Sequence, residues 1–178
     1  MDIQRVSAFA PAPAFRSLTE FPASIQQRPG GLSPSPRCEV LDQVDVSMPR
    51  HHWTAPGEFA DEDRVWPGRM RRLGRAKLRH WGLDCLTDDV TLALTELINN
   101  AFEHGHGPEV KFRLYRTLKH VRIEVQDGSP KRPLVRQSGS LGEDGRGLLL
   151  VVSIADTWGV SEDGTCTWCT ILTTERSA

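Results

Sequence analysis

Glu96-Leu97-Ile98-Asn99-Asn100-Ala101-Phe102-Glu103-His104-Gly105 is the stretch that decides how this chain is read. Val90, Leu94, Leu97, Ile98 and Ala101 recur at three- and four-residue spacing. That spacing predicts an amphipathic helix from Thr87, a plausible N-cap, to Glu103 or His104, with Gly105 stopping it. Glu96, Asn100 and Glu103 stand at i, i+4 and i+7, so they share one face. A carboxylate one turn from an amide suits work around a triphosphate. The amide oxygen is a hard ligand for Mg2+, and the carboxylate can orient or deprotonate an attacking hydroxyl or water. The same pattern also describes the solvated face of an ordinary amphipathic helix.

Downstream, residues 109–115 and 121–126 alternate apolar and polar side chains and predict two strands, joined through 117–120 as a hairpin. Asp127 ends the second strand and opens a glycine-containing loop, 128–145. An aspartate there can accept a hydrogen bond from an adenine amino group in a deep pocket, or it can simply serve a turn, where Asp-Gly is common. Gly142-Glu143-Asp144-Gly145-Arg146-Gly147 then leads into Leu148–Ala155, apolar on nearly every side and read as a short buried helix. Glycines let backbone approach phosphate, a helix N-terminus offers free N–H groups, and Arg146 adds a charged fork. No Gly-Lys-Ser/Thr follows, so this is not a Walker A loop. A final strand pair, 157–160 and 165–172, turns at Glu162-Asp163-Gly164.

Upstream, Val40, Val44, Val46 and Met48 alternate with polar residues and predict a short strand. Asp61-Glu62-Asp63 precedes a helix carrying Trp66, Met70, Leu73, Leu78 and Trp81, ended by Gly82; the acids suit the positive end of its dipole. Arg64, Arg69, Arg71, Arg72, Arg75, Lys77 and Arg79 crowd it. Charge runs are commonly solvated faces; this one could also bind an acidic partner or nucleic acid. The net charge of −1 over 178 residues and the nearby acids favour the acidic partner. Residues 1–37 hold Pro11, Pro13, Pro22, Pro29, Pro34 and Pro36 with no apolar periodicity, which predicts a disordered tail before a domain at 38–175. No spanning apolar run and no signal-peptide pattern is present, so the expected location is cytoplasmic. Cys166-Thr167-Trp168-Cys169 has C-x-x-C spacing but no second ligand pair, and is read as strand filler.

Hairpin-linked strands beside a few helices predict an α+β fold: a two-layer sandwich with helices on one face of a mostly antiparallel sheet. The order and spacing of three elements resemble the N, G1 and G2 boxes of the GHKL (Bergerat) ATPase family. Glu96-Leu97-x-x-Asn100-Ala101-x-x-His104-Gly105 is similar to the N box, Asp127-Gly128-Ser129 to the G1 box and Gly145-Arg146-Gly147-Leu148 to the G2 box. The helix pair and small size are similar to the actinomycete anti-sigma-factor serine/threonine kinases, over residues 40 to 173.

The resemblance implies the Bergerat (histidine kinase-like ATPase) fold, ATP and Mg2+ as cofactors, Glu96 as general base and Asn100 as the Mg2+ ligand. It implies that Asp127 reads adenine, with Gly128, Gly145, Arg146, Gly147 and Leu148 around the nucleotide and 128–145 as a lid. His104 either lines that pocket or is a structural helix-end histidine. The implied partners are a STAS-domain anti-anti-sigma protein, phosphorylated on serine, and a sigma factor competing for the same surface. Related kinases often pair, which raises a homodimer. Ser129, followed by Pro130, departs from the pattern, which commonly has a second glycine there. Three functions therefore stand at this point: a serine kinase, favoured by Glu96; a nucleotide-responsive anti-sigma module without turnover, favoured by Ser129-Pro130; and, ranked last, a nucleic-acid-associated regulator using the basic helix.

Overall fold

The computed structural model describes residues 39–51, 60–129 and 146–173, with the Arg146 side chain left aside. The expected tail at 1–37, Cys38, most of the 128–145 loop and Gly145 lie outside the described residues. The elements follow the chain as β1 (Asp42–Pro49), α1 (Val65–His80), α2 (Thr87–His104), β2 (Glu109–Arg116), β3 (His120–Gln126), α3 (Arg146–Ile154), β4 (Thr157–Val160) and β5 (Cys166–Leu172). The five strands form one sheet in the order β1-β2-β3-β5-β4, and every pairing is antiparallel. This is the α+β sandwich expected from the hairpin-rich order.

Strand periodicity builds the core. Val44, Val46 and Met48 of β1 stand opposite Leu114, Phe112 and Val110 of β2, so one face of each strand turns inward together. Phe112, Leu114, Val121, Ile123 and Ile171 meet Val90, Leu94, Leu97 and Ile98 of α2, all nearly or fully buried. Each such side chain contributes about 1.5–3 kcal/mol when removed from water. α2 is the central helix, touching α1, α3, β3 and β5. Its crossing with α1 is close because Gly74 has no side chain; a Cβ there would lie 2.6 Å from Leu94 Cδ1.

Several local expectations change. Val40 precedes the first strand and is 44% exposed. Thr87 is not an N-cap. A short 3-10 turn, Asp84–Leu86, feeds directly into α2 and makes Thr87 its first residue, while Asp88 and Asp89 supply the acids of the first turn. The acidic triplet lies just before α1, and no acidic residue falls within its first turn. Asp63 is buried and accepts hydrogen bonds from the His51 backbone N–H (3.2 Å) and from His51 Nδ1 (2.8 Å), tying the end of β1 to the start of α1. α3 buries Leu148 and Val151 but leaves Leu150 43% exposed, so only one of its faces is covered.

The turns follow their chemistry. Thr117 closes the β2–β3 hairpin, its N–H bonding the His120 carbonyl at 2.8 Å while its hydroxyl accepts the Lys119 and His120 amides. Asp163 gathers Ser161 Oγ and the Thr165 amide and hydroxyl ahead of β5, with Gly164 at φ +80. Cys166 and Cys169 lie three apart on β5 and therefore face opposite sides of the sheet; burial pushes both thiols up to about 12. They do not converge on a metal, and among the described residues no cluster of three or more His, Cys, Asp or Glu does so. No described helix is long and apolar enough to cross a membrane.

Candidate functional site

The helix face that carries Glu96 and Asn100 looks toward two pieces of backbone, one at each end. At the near end, the Glu96 carboxylate lies directly against Gly147 in the first turn of α3. A Cβ on Gly147 would collide with Glu96 Oε2, so this approach needs glycine. Burial and the neighbouring Glu103 charge raise the Glu96 pKa above its ordinary value. A carboxyl group shifted that way holds a proton more readily, as a general base must. Asn100, half-buried, follows one turn later on the same helix.

At the far end, α2 stops where the Asp127 turn presses on it. A Cβ on Gly105 would run into the Ala101 carbonyl and lie 2.7 Å from Asp127 Cβ. Gly128 adopts φ +71 and sits on the His106 carbonyl, again closer than any side chain allows. The His106 N–H donates to the Asp127 carbonyl (2.9 Å), and the Asp127 N–H donates to Thr165 just before β5 (3.0 Å). Asp127 thus belongs at once to the end of β3, the edge of β5 and the end of α2.

Its carboxylate is largely withdrawn from water, and burial pushes its pKa up to about 6. The Ser129 N–H, 2.8 Å from Oδ1, and the Arg50 guanidinium pull the other way. Ser129 is itself buried and needs no left-handed backbone, since no non-glycine described residue has a positive φ. The position that departs from the family pattern therefore completes the turn through its amide, which any residue except proline supplies.

Arg50 is the residue that sequence reasoning missed. It follows β1 directly and donates to the Ala101 carbonyl (2.6 Å) and the Gly107 carbonyl (2.9 Å), lying 5.7 Å from the Phe102 ring. It therefore satisfies backbone at the C-terminus of α2, where cations are favoured, and adds positive charge behind Asp127. A lone arginine after a strand carries no periodicity or motif, so nothing in one sequence marks it. His104 sits at the last position of α2. It stands half-exposed with Nε2 4.0 Å from Glu103, and it is His106 whose main chain meets the Asp127 turn.

Of the residues singled out earlier, Glu96 and Gly147 touch, Asp127 and Gly128 share one turn, and Leu148 packs into the core behind α3. Gly105 stands nine positions beyond Glu96, about 13 Å at helical rise, a span suited to a nucleoside triphosphate lying along the helix. The donor set fits such a ligand and a hard cation: a half-buried acceptor at one end, an amide oxygen in the middle, and a carboxylate beside a helix N-terminus at the other. Gly145 and the Arg146 side chain cannot be placed in this arrangement, lying outside the described residues. A family model described as a histidine kinase-like ATPase domain matches residues 60–171. No curated protein matches the chain.

Proposed function

The chain belongs to the histidine kinase-like ATPase family, and from that premise we propose that it is a Mg2+-ATP-dependent serine/threonine protein kinase of the anti-sigma-factor type. In this reading it regulates transcription by partner switching with a STAS-domain anti-anti-sigma protein and a sigma factor. The observation that carries the kinase reading is Glu96: a carboxylate with a raised pKa, seated against Gly147 at the start of α3. A module that only sequesters a partner has no use for a base there.

Mg2+-ATP, when bound, supplies the γ-phosphoryl group and the charge neutralisation that its transfer requires. Asn100 holds the cation through its amide oxygen. Asp127, ionised at neutral pH, accepts from the adenine amino group. Glu96 orients a serine hydroxyl of the partner and takes its proton as the serine oxygen bonds to phosphorus and the bond to the ADP oxygen breaks. Glu96→Gln with labelled ATP and a candidate STAS-domain protein tests this assignment. Nucleotide binding is expected to survive while transfer falls by 10^2 or more, roughly the usual worth of a general base. Transfer at the wild-type rate would remove Glu96 from the chemistry and return the alternative, a nucleotide-responsive anti-sigma module.

A further inference from the structure

Of the arginines in and just before α1, all but Arg69 lie on one side of the helix. Arg64, Gly68, Arg71, Arg72, Arg75 and Arg79 recur at spacings of four, three and one, which places them along a single stripe beside the buried face. The stripe borders α2: Arg71 Nη1 lies 3.4 Å from Thr95 Oγ1. Where the two helices part, near the start of α1 and the end of α2, they leave an open groove of about 530 Å3. Arg64, Arg71 and Arg72 line one wall with the backbone at Gly68, and Asn99 and Glu103 line the other. Arg64 and Arg72 are exposed, and Arg64 makes an ion pair with Asp61 at 3.0 Å.

The first turn of α1 adds to this. It has no acidic residue and no side-chain cap, and Val65, Pro67 and Gly68 of this turn line the same groove as the three guanidiniums. The volume falls in the range of roughly 300–1,000 Å3 typical of ligand sites. Electrostatics limit what fits. Glu103 places a carboxylate on the far wall, and acids bound the stripe at both ends: Asp61 and Glu62 before it, and Asp84, 4.0 Å from Arg79, after it. A continuous polyanion such as duplex nucleic acid would run into those acids. A short segment with a few carboxylates fits between them.

We propose that this groove docks an acidic segment of the protein partner, its carboxylates pairing with Arg64, Arg71 and Arg72. The inference rests on the kinase reading for the existence of that partner and adds where it binds and what chemistry it presents. Asn99 lies one turn beyond Glu96 on α2, about 5 Å along the axis. A segment held in the groove therefore brings its neighbouring residues to the phosphate end of the site.

The test uses the isotope-labelled full chain titrated with a short Glu/Asp/Ser peptide, a Lys/Ser peptide and a duplex DNA oligonucleotide, with ATP binding followed separately by calorimetry. The acidic peptide is expected to shift the resonances of Gly68, Arg71, Arg72 and Asn99, with affinity falling as salt rises. The Arg64→Ser/Arg72→Ser double variant is expected to weaken that binding about tenfold or more, with ATP titration unchanged, and Arg72→Lys to retain most of it. The inference is overturned by an absence of shifts at any accessible peptide concentration, by shifts elsewhere on the chain, by insensitivity to the double variant, or by DNA outcompeting the peptide in the groove. Failure of the wild-type chain to bind ATP would instead sink the kinase reading, whatever the peptide does.

Discussion

Asp127→Asn is expected to make the protein more stable and a poorer nucleotide binder at once. Burial raises the Asp127 carboxyl from 3.8 to about 6. Between those two pH values the folded chain keeps a proton that the unfolded chain has lost, so this group's contribution to stability falls as pH rises through the window. At pH 7 the native state holds a buried charge at a cost of about 3 kcal/mol at full strength. Asp127 is only partly buried, so solvent screens part of this and about 1–2 kcal/mol remains. Asparagine has nearly the same shape and still accepts the Ser129 N–H, yet carries no charge. The variant's melting temperature at pH 7 should therefore exceed the wild type's by several degrees, at about 2–4 °C per kcal/mol for a chain of this size. The gain should shrink as pH falls below about 6 and vanish only well below 3.8, where the wild-type carboxyl is protonated in both states. Adenine-nucleotide affinity should drop about tenfold, because a charged acceptor has become a neutral one. Thermal melts across the pH range and calorimetry with ATP measure both. A variant no more stable than wild type at pH 7, or a difference that does not change with pH, would refute the account of a buried charge held at a cost.

Further outcomes follow from the same contacts. Asn100→Ala should weaken Mg2+-ATP binding while leaving Mg2+-independent binding of the base largely intact, checked by calorimetry with and without EDTA. Gly147→Ala should push the flexible Glu96 carboxylate aside, cutting phosphate transfer more than stability; a double variant with the shorter Glu96→Asp should recover part of it, and no effect of the single variant on transfer would argue against the contact. Arg50→Ala should cost roughly 2–3 kcal/mol by leaving the Ala101 and Gly107 carbonyls without their charged donor, seen as a lower denaturant midpoint and faster amide exchange at the end of α2.

What the sequence made legible was everything carried by short-range pattern. The apolar spacing of α2, the alternation of β2 and β3 and the turn chemistry at Thr117 and Asp163 are local facts, and each element forms near its expected place. The carboxylate, amide and glycines of the candidate site were legible because they sit within or beside those elements. Arg50, the His51–Asp63 clamp and the close crossing at Gly74 were not. Each depends on a partner 12 or more residues away in sequence, and nothing in one chain fixes such a pairing before the sheet order is known. α3 differs from its expected full burial for the opposite reason: an all-apolar run says how much surface wants cover, not which side receives it.

β5, the last strand among the described residues, is not an edge strand but lies between β3 and β4. Until it emerges from the ribosome, β3 has an open margin and Asp127 lacks the Thr165 carbonyl that holds its amide. On the proposed reading of Asp127, a nascent chain long enough to include every candidate site residue would still lack a finished adenine end. Premature termination before Thr165 should accordingly yield a product with no residual nucleotide affinity, rather than a weakened one.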